Sequence, residues 1–153
     1  MIRTTINKID QELRTLCEAH LQVNAYFYGF FLDVYESNNV KHSSVIAHVT
    51  DANIDDSYIT MTINLMVCDK IDDGKSLEKY VDSTTLQIIN DLIVVMTTSD
   101  RWKRLGTITN ATSVQNFSQK GGSVVNGWFC NLNFRIKNAK SFCDLPIKNY
   151  IYD

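Results

Sequence analysis

Residues that could carry out catalysis are few in this sequence and lie far apart. Nucleophilic catalysis needs a Ser, Cys or Thr beside an oriented base, often on a GxSxG turn, and no such motif occurs. A dyad of a cysteine with His20 or His48 would rest on chance proximity, since the chain has three histidines and four cysteines. The phosphate-binding patterns GxxxxGK[ST] and GxGxxG are also absent. The sequence therefore predicts that the protein is not an enzyme and needs no cofactor.

Metal-binding patterns are equally weak. His42 and His48 stand six residues apart with no CxxC pair nearby, so the spacing of a zinc site is missing. The acidic run from Asp69 to Gly74 resembles the start of a calcium loop, but Ile71 occupies a ligand position and no glutamate closes the loop. We interpret this run as a solvated turn and expect no metal.

Charge is distributed unevenly along the chain. Residues 1–100 carry 15 acidic and 7 basic side chains, a net charge of −8, whereas residues 101–153 carry 2 acidic and 8 basic, a net charge of +6. Either the two halves fold against each other, or an acidic face of one copy meets a basic face of the next. The overall net charge of −2 gives no electrostatic basis for wrapping around DNA.

Two further groups of charged residues need an interpretation. Glycoside or phosphoryl chemistry would use paired carboxylates, which could come from Asp51, Asp55 and Asp56. We interpret these three residues as a charged surface loop. Basic residues surround an aromatic ring in the segment Arg101–Arg104, an arrangement used to stack nucleic-acid bases. No second basic cluster supports that role, so this segment is interpreted as the charged rim of a protein contact.

The elements that would position these residues follow from hydrophobic periodicity. Spacings of three and four predict a helix from about Thr4 to His20, capped by Thr5 or Asn7. Strict alternation from Tyr58 to Asp69 predicts a long half-buried strand. The remaining predictions are a strand in QVNAYFYGFF, a loop at 37–39, a short strand SVIAHVTD, a connection DANIDD, a helix from Ser76 to about Thr97, strands near 105–108 and 113–117, and a long strand from Val124 to Ile136.

This order of elements predicts an α+β fold, with a single mostly antiparallel β-sheet packed on one side by two α-helices. Residues 1–153 are expected to form one domain, with an α+β core at 1–137 and a C-terminal tail at 138–153 that docks on a neighbour. No apolar run is long enough to cross a membrane, so no membrane contact is expected. The cysteines are expected to be reduced, as in a cytosol.

The chain resembles the small tail-terminator and neck (head-tail connector) ring proteins of tailed bacteriophages, especially those of the crAss-like group and of Bacteroides-type hosts. Four segments carry the resemblance: TINKIDQELRTLCEAH, YITMTINLMVCD, SLEKYVDSTTLQIINDLIVVM after a DDGKS-type turn, and GWFCNLNFRI. The resemblance implies a structural virion protein that forms a ring of six or twelve copies at the head-tail interface or at the tail end. It also implies contacts with other neck or tail rings, a channel through which DNA passes without sequence-specific binding, and a stay in the host cytoplasm before assembly. No catalytic residues are implied.

The predicted subunit interface combines a loop, a basic segment and a hairpin. Extended turns can pair with the strand edge of a neighbour, and opposite charges fix the contact. We expect Asp72 and Asp73 of one copy to approach Arg101, Lys103 or Arg104 of the next. The full set of expected interface residues is Asp72, Asp73, Lys75, Arg101, Trp102, Lys103, Arg104, Gly121 and Gly122. The alternative is a small cytosolic ligand-binding or regulatory domain, in which the aromatic cluster Tyr26, Phe27, Tyr28, Phe30 and Phe31 lines a pocket.

Overall fold

The structure is a computed structural model, and it describes residues 4–37, 43–71, 78–109, 113–119 and 124–138. Within these ranges the helices are α1 (Ile6–Ala19), α2 (Phe31–Ser37), α3 (Glu78–Thr98) and α4 (Asp100–Leu105). The strands are β1 (Ala25–Tyr28), β2 (Ser44–Ile54), β3 (Tyr58–Ile71), β4 (Thr107–Ile108), β5 (Val114–Gln119) and β6 (Val124–Lys137).

The strands form a single sheet in the order β1-β2-β3-β6-β4, and β5 also pairs with β6. β1 and β2 are parallel, and every other pairing is antiparallel. β4 and β5 both lie along the side of β6 that faces away from β3. The predicted fold class, α+β with a mostly antiparallel sheet, is confirmed.

β3 and β6 form the framework of the sheet. They pair without interruption from Tyr58 opposite Lys137 to Ile71 opposite Val124. Fourteen residue pairs extend about 45 Å at the usual rise of a strand. The sheet therefore has two well-separated ends, one at Tyr58 and Lys137 and the other at Ile71 and Val124.

α1 is a surface helix that is held to the sheet by one apolar stripe. Thr5 caps its start, because its side-chain oxygen accepts a hydrogen bond from the Lys8 backbone N–H. Ile9, Leu13 and Cys17 are buried at the predicted spacing. The predicted helix and one of its two candidate caps are thus confirmed.

α3 provides most of the helical side of the core. Ile88, Ile89 and Leu92 are fully buried against the alternate residues of β3 and β6 that face the helices. Of these strand residues, the buried members are Met61, Ile63, Leu65, Val67, Cys130, Leu132, Phe134 and Ile136. The apolar faces that periodicity gives to β3, β6 and α3 thus pack together in one core.

The opposite face of the sheet is covered only in part. Val34 of α2 packs on Ile46, Cys68 and Val125, which form a second, small buried cluster. Further along this face the strands present polar residues, and Asn64 donates a hydrogen bond to Asn131 across β3 and β6 at 3.0 Å. Among the described residues, those of α2 thus cover one part of this face and leave the polar part without a packed helix.

Several local predictions differ from the structure. The QVNAYFYGFF strand is limited to Ala25–Tyr28, and α2 follows it. β2 continues to Ile54, so most of DANIDD is a strand and the connection is limited to 55–57. Residues 100–105 form a helix, which was not predicted, before the strand near Ile108.

Candidate functional site

The basic residues of the second half of the chain lie on adjoining elements at one end of the sheet. α4 begins after Ser99, whose Oγ accepts the Arg101 N–H, and ends at Gly106. β4 follows at once, and Thr107 pairs with Arg135 near the end of β6. The exposed basic side chains of these elements are Lys103, Arg104, Arg135 and Lys137. This group is called the basic corner below.

Arg101 belongs to α4 but is bound within its own chain. Its Nε and Nη2 donate to the two carboxylate oxygens of Glu12 on α1. Lys8 adds a second cation, with Nζ 3.1 Å from Glu12 Oε1. The hydrogen bond from Arg101 lowers the pKa of Glu12 most strongly, against the effect of burial, and Lys8 lowers it further. Arg101 therefore fastens α4 to α1, and its expected role toward a neighbour is weakened.

Trp102 has no role on the surface. Its side chain is only 2% exposed and meets the Phe134 ring edge to face at a centroid distance of 6.1 Å. Within the predicted segment 101–104, this leaves Lys103 and Arg104 as the residues available to a neighbour.

The opposite side of the sheet offers an exposed, acidic edge at the same end. Among the described strands, β1 pairs with Ser44–Ala47 alone, whereas β2 continues to Ile54, and residues 50–54 are all exposed. Asp51 lies on this uncovered part of β2, next to a register shift in the pairing with β3. Asp56 is exposed in the following turn, which Asp55 stabilises by accepting the Ser57 and Tyr58 N–H groups at 2.7 Å each. Residues 50–56 are called the acidic edge below.

The acidic edge and the basic corner lie at the same end of the sheet because of the strand register. Ile54 pairs with Ile59, and Tyr58 pairs with Lys137. The order β2-β3-β6-β4 then places the negative charges on one side and the positive charges on the other. Repetition of this unit side by side would bring the acidic edge of one copy to the basic corner of the next.

The β5 edge continues the side of the sheet that carries the basic corner. Charged residues and prolines are two common devices by which edge strands avoid edge-to-edge association. The β5 sequence VQNFSQ contains neither. The Asn116 side chain anchors the strand by donating to Asp82 Oδ1 and to the Gly127 carbonyl, each at 3.1 Å. Among the described strands, none pairs with the outer side of β5. β5 is therefore an anchored edge without a charge to repel a partner strand.

A groove of about 550 Å³ opens on the partly covered face of the sheet. It lies where β1 leads into α2, and Phe30, Phe31 and Leu32 form its apolar wall. His48 of β2 also lines it, and the centroid of its ring lies 4.0 Å from that of the Phe30 ring. His48 Nδ1 is buried without a hydrogen-bond partner in the described part of the chain. Phe30 is 60% exposed and Leu32 is 56% exposed, so the wall is apolar yet open to solvent.

The aromatic cluster of the alternative interpretation is divided by the sheet. Tyr26 faces the helices, is 8% exposed and donates a hydrogen bond to Asp10 at 2.8 Å. Phe27 packs on the other face with the second buried cluster. Of the five aromatic residues, Phe30 and Phe31 line the groove.

The remaining predicted interface residues, Asp72, Asp73, Lys75, Gly121 and Gly122, lie outside the described residues. Asp72 directly follows Ile71, and Ile71 pairs with Val124 at the end of the sheet opposite to Lys137. A side-by-side contact would therefore not bring the Ile71 end of the sheet to the basic corner of a copy in the same orientation. The acidic edge, in contrast, lies at the same end of the sheet as the basic corner, and its residues Asp51, Asp55 and Asp56 were predicted to form a charged surface loop.

Membrane-spanning and metal-binding features were also sought in the described ranges. None of the helices there has the length and apolar character needed to cross a bilayer. In the same residues, His, Cys, Asp and Glu side chains do not form a group of three or more that could hold a metal ion. The cysteines described, Cys17, Cys68 and Cys130, are free thiols, and burial raises the pKa of each to about 12.

The comparisons with known proteins place the chain in no family. No protein-family model matches it, and no curated protein matches it either.

Proposed function

We propose that this chain is a structural subunit that assembles side by side into a closed ring, as in the neck or tail of a tailed bacteriophage. One observation carries the proposal: the sheet has an exposed acidic edge on one side and, at the same end of the other side, a basic corner that continues into the uncharged β5 edge. The two sides differ, so a contact between them is heterologous, and heterologous contacts close into a ring when the rotation per copy divides the circle.

The proposed contact uses backbone and charge together. An unpaired strand edge presents N–H and C=O groups that another strand can complete, as in peptide recognition by strand addition. Asp51 of one copy would then approach Arg104 of the next, and Lys103 adds charge beside it. A stable contact of this kind buries about 800 Å² on each partner, so neighbouring loops must take part as well.

In the phage setting the ring comprises six or twelve copies, binds adjacent neck or tail rings and surrounds the channel for DNA. That setting follows from the resemblance of the four segments named above, and the arrangement of edges and charges supports only the side-by-side assembly. The subunit would reach the virion after synthesis in the host cytoplasm.

Charge reversal tests the contact directly. Arg104→Glu places a negative charge opposite Asp51, and we expect the association measured by sedimentation velocity to weaken at least about tenfold. Asp51→Lys in the same chain restores the opposite signs and should restore association. Lys79→Glu makes the same change in net charge at an exposed position of α3 and should have little effect.

The strand edge needs a separate variant. Gln115 is exposed on β5, and Gln115→Lys adds the kind of charge that natural edge strands use against association. We expect this variant to remain monomeric where the parent assembles. The proposal fails if Arg104→Glu and Lys79→Glu associate equally well, or if the reversed pair does not recover.

The groove supports one alternative, a small ligand-binding domain. Its volume of about 550 Å³ lies in the range of ligand pockets, and His48, Thr50 and Asn64 are polar residues of its lining. A monomer at every concentration that binds a small apolar compound at Phe30 would favour this function over the ring.

A further inference from the structure

We infer that β5 of one copy pairs with β1 of the next copy as antiparallel strands, with Asn116 opposite Tyr26 and Val114 opposite Tyr28. This inference rests on the proposed side-by-side assembly and names the strand that completes the β5 edge.

β1 and β5 are edge strands at the same height of the sheet. Among the described strands, β1 pairs with β2 alone and β5 pairs with β6 alone. One row of paired residues connects the two edges, and it consists of Asn116, Trp128, Val67, Val45 and Tyr26. A second row connects Val114 to Tyr28 in the same way. Copies placed side by side, without a shift along the strands, therefore bring β5 of one beside β1 of the next.

The directions of the strands favour an antiparallel contact. β1 runs parallel to β2, and β6 also runs parallel to β2 because both are antiparallel to β3. β5 is antiparallel to β6. β5 therefore runs antiparallel to β1 of any copy in the same orientation.

The backbone groups point outward at the residues that would meet. Consecutive residues of a strand direct their N–H and C=O groups to opposite sides. The Gly29 N–H donates to the Ala47 carbonyl of β2, so Tyr28 and Tyr26 direct their groups away from β2. The Thr109 N–H donates to the Asn133 carbonyl, so every second residue of β6 from Asn133 directs its groups away from β3. These residues of β6 bond to Gln115 and Phe117, which leaves the groups of Val114 and Asn116 directed outward. Each opposite pair can thus exchange both N–H···O=C hydrogen bonds.

The side chains of opposite residues lie on the same face of the sheet. The Asn116 amide donates to Asp82 of α3, and the Tyr26 hydroxyl donates to Asp10 of α1. Both side chains are therefore on the helical face, so the joined sheet keeps the helices of every copy on one side. The contact joins two different edges, and each added copy presents a new edge, so the contact repeats as a ring requires.

The pairing of β5 with β1 also brings the charged regions together. Neither strand contains a charged residue that would oppose the contact. At the Lys137 end of the sheet, β2 of the next copy then lies two strand spacings, about 10 Å, from β4. The long side chains of the basic corner extend into this gap toward the acidic edge. Backbone pairing and charge contact thus belong to one interface.

Disulfide trapping between two variants of the full chain tests the pairing. Ser118 and Asn24 are exposed, and each lies two residues beyond the row that connects Asn116 to Tyr26. Ser118→Cys in one chain and Asn24→Cys in another therefore place two thiols opposite each other, at a spacing that a disulfide can bridge. A Cys143→Ser background leaves the buried Cys17, Cys68 and Cys130, and oxidised glutathione supplies the oxidant. We expect the mixed dimer to form at least about tenfold faster than a dimer of either variant alone.

A control partner makes the trapping specific. Gln11→Cys places an exposed thiol on α1, and its mixture with Ser118→Cys should show no such preference. The pairing is overturned if the control mixture links as fast as the mixture of Ser118→Cys with Asn24→Cys. It is also overturned if Ser118→Cys alone links as fast, because β5 would then meet a second β5.

A proline variant tests the backbone contribution. Val114 is the first residue of β5 and its N–H points outward, so Val114→Pro removes a hydrogen bond to the next copy and keeps the ladder with β6. We expect sedimentation velocity to show association at least about tenfold weaker than for the control Val114→Ala, which keeps the N–H. Equal association of the two variants would contradict the pairing. A parent that responds to Arg104→Glu while these two variants associate equally would overturn the pairing alone, whereas a parent that stays monomeric would overturn the proposed assembly as well.

Discussion

Gly127→Ala should disrupt the pairing of β3 with β6, on which both edges of the sheet depend. Gly127 lies opposite Cys68 in β3 and opposite Phe117 in β5. A Cβ atom built at this position would lie 2.0 Å from the Val67 carbonyl oxygen and 2.8 Å from the Cys68 Cα. Both atoms belong to the backbone, so no change of side-chain rotamer can make room.

The size of the effect follows from these distances. Real Cβ atoms essentially never come within 3.0 Å of such atoms, so the strands must separate locally by about 1 Å. Overpacking costs about 1 to 3 kcal/mol, and a clash with the backbone belongs at the upper end, because the pairing hydrogen bonds lengthen as well. About 3 kcal/mol corresponds to a fall in Tm of roughly 6 to 12 °C for a domain of this size.

Thermal unfolding followed by circular dichroism measures this fall. Asn131→Ala is the matched control, because it lies in the same strand on an exposed position and loses one hydrogen bond from Asn64. The control should change stability by no more than about 0.5 kcal/mol. A Tm of Gly127→Ala equal to that of the control would refute the close approach of β3 and β6 at this position.

Two other predictions concern side chains whose pKa is shifted by burial or by an ion pair. Arg101 lowers the pKa of Glu12 in the folded state, so the stability from this pair is present above the ordinary value of 4.5 and is lost as the pH falls through the folded-state pKa. Urea unfolding should therefore show that Glu12→Gln is less stable than the parent at pH 7 and that this difference shrinks below about pH 4.5; a constant difference would contradict the pairing. Burial raises the pKa of the three described cysteines to about 12. Ellman's reagent at pH 8 should therefore react with at most one thiol per native chain and with all four in urea. Reaction of more than one thiol in the native chain would contradict their burial.

The long elements could be predicted because their periodicity extends over many residues. β3 alternates over its whole length, and α3 and β6 carry enough apolar residues to define the faces that meet in the core. α2 was missed because seven residues are too few for a periodic signal and because an aromatic run favours a strand. The available sequence signal for the end of β1 was Gly29, whose φ of +148° is a conformation that other residues rarely adopt.

The extension of β2 shows a different limit. Residues 51–54 are exposed, so their side chains contain no pattern of burial, and their polar composition favours a turn. Pairing with β3 nevertheless holds them in a strand as far as Ile54. The predicted connection was therefore wrong for residues 52–54 and correct for Asp55 and Asp56. Strand pairing between distant residues is not visible in local composition.

The charge asymmetry was visible in the sequence, but its placement was not. The sequence shows an acidic first part and a basic last part. The position of each charge depends on the register that sets Tyr58 opposite Lys137, and on α4, which turns Trp102 inward and binds Arg101 to Glu12. Tertiary contacts thus bury Trp102 and pair Arg101 with Glu12, and strand pairing places Asp51 on the exposed acidic edge.

Asp51 is also the residue that distinguishes a ring from a two-fold dimer. An uncharged edge such as β5 can pair with a second β5 around a two-fold axis, and that isologous contact would leave the acidic edge unused. Gln115→Lys opposes either assembly wherever the β5 edge pairs with a partner strand. Arg104→Glu and its recovery by Asp51→Lys respond only when the acidic edge of one copy meets the basic corner of another. Recovery by Asp51→Lys would therefore identify the heterologous contact from which a ring closes, whereas a dimer that ignores Asp51 would exclude it.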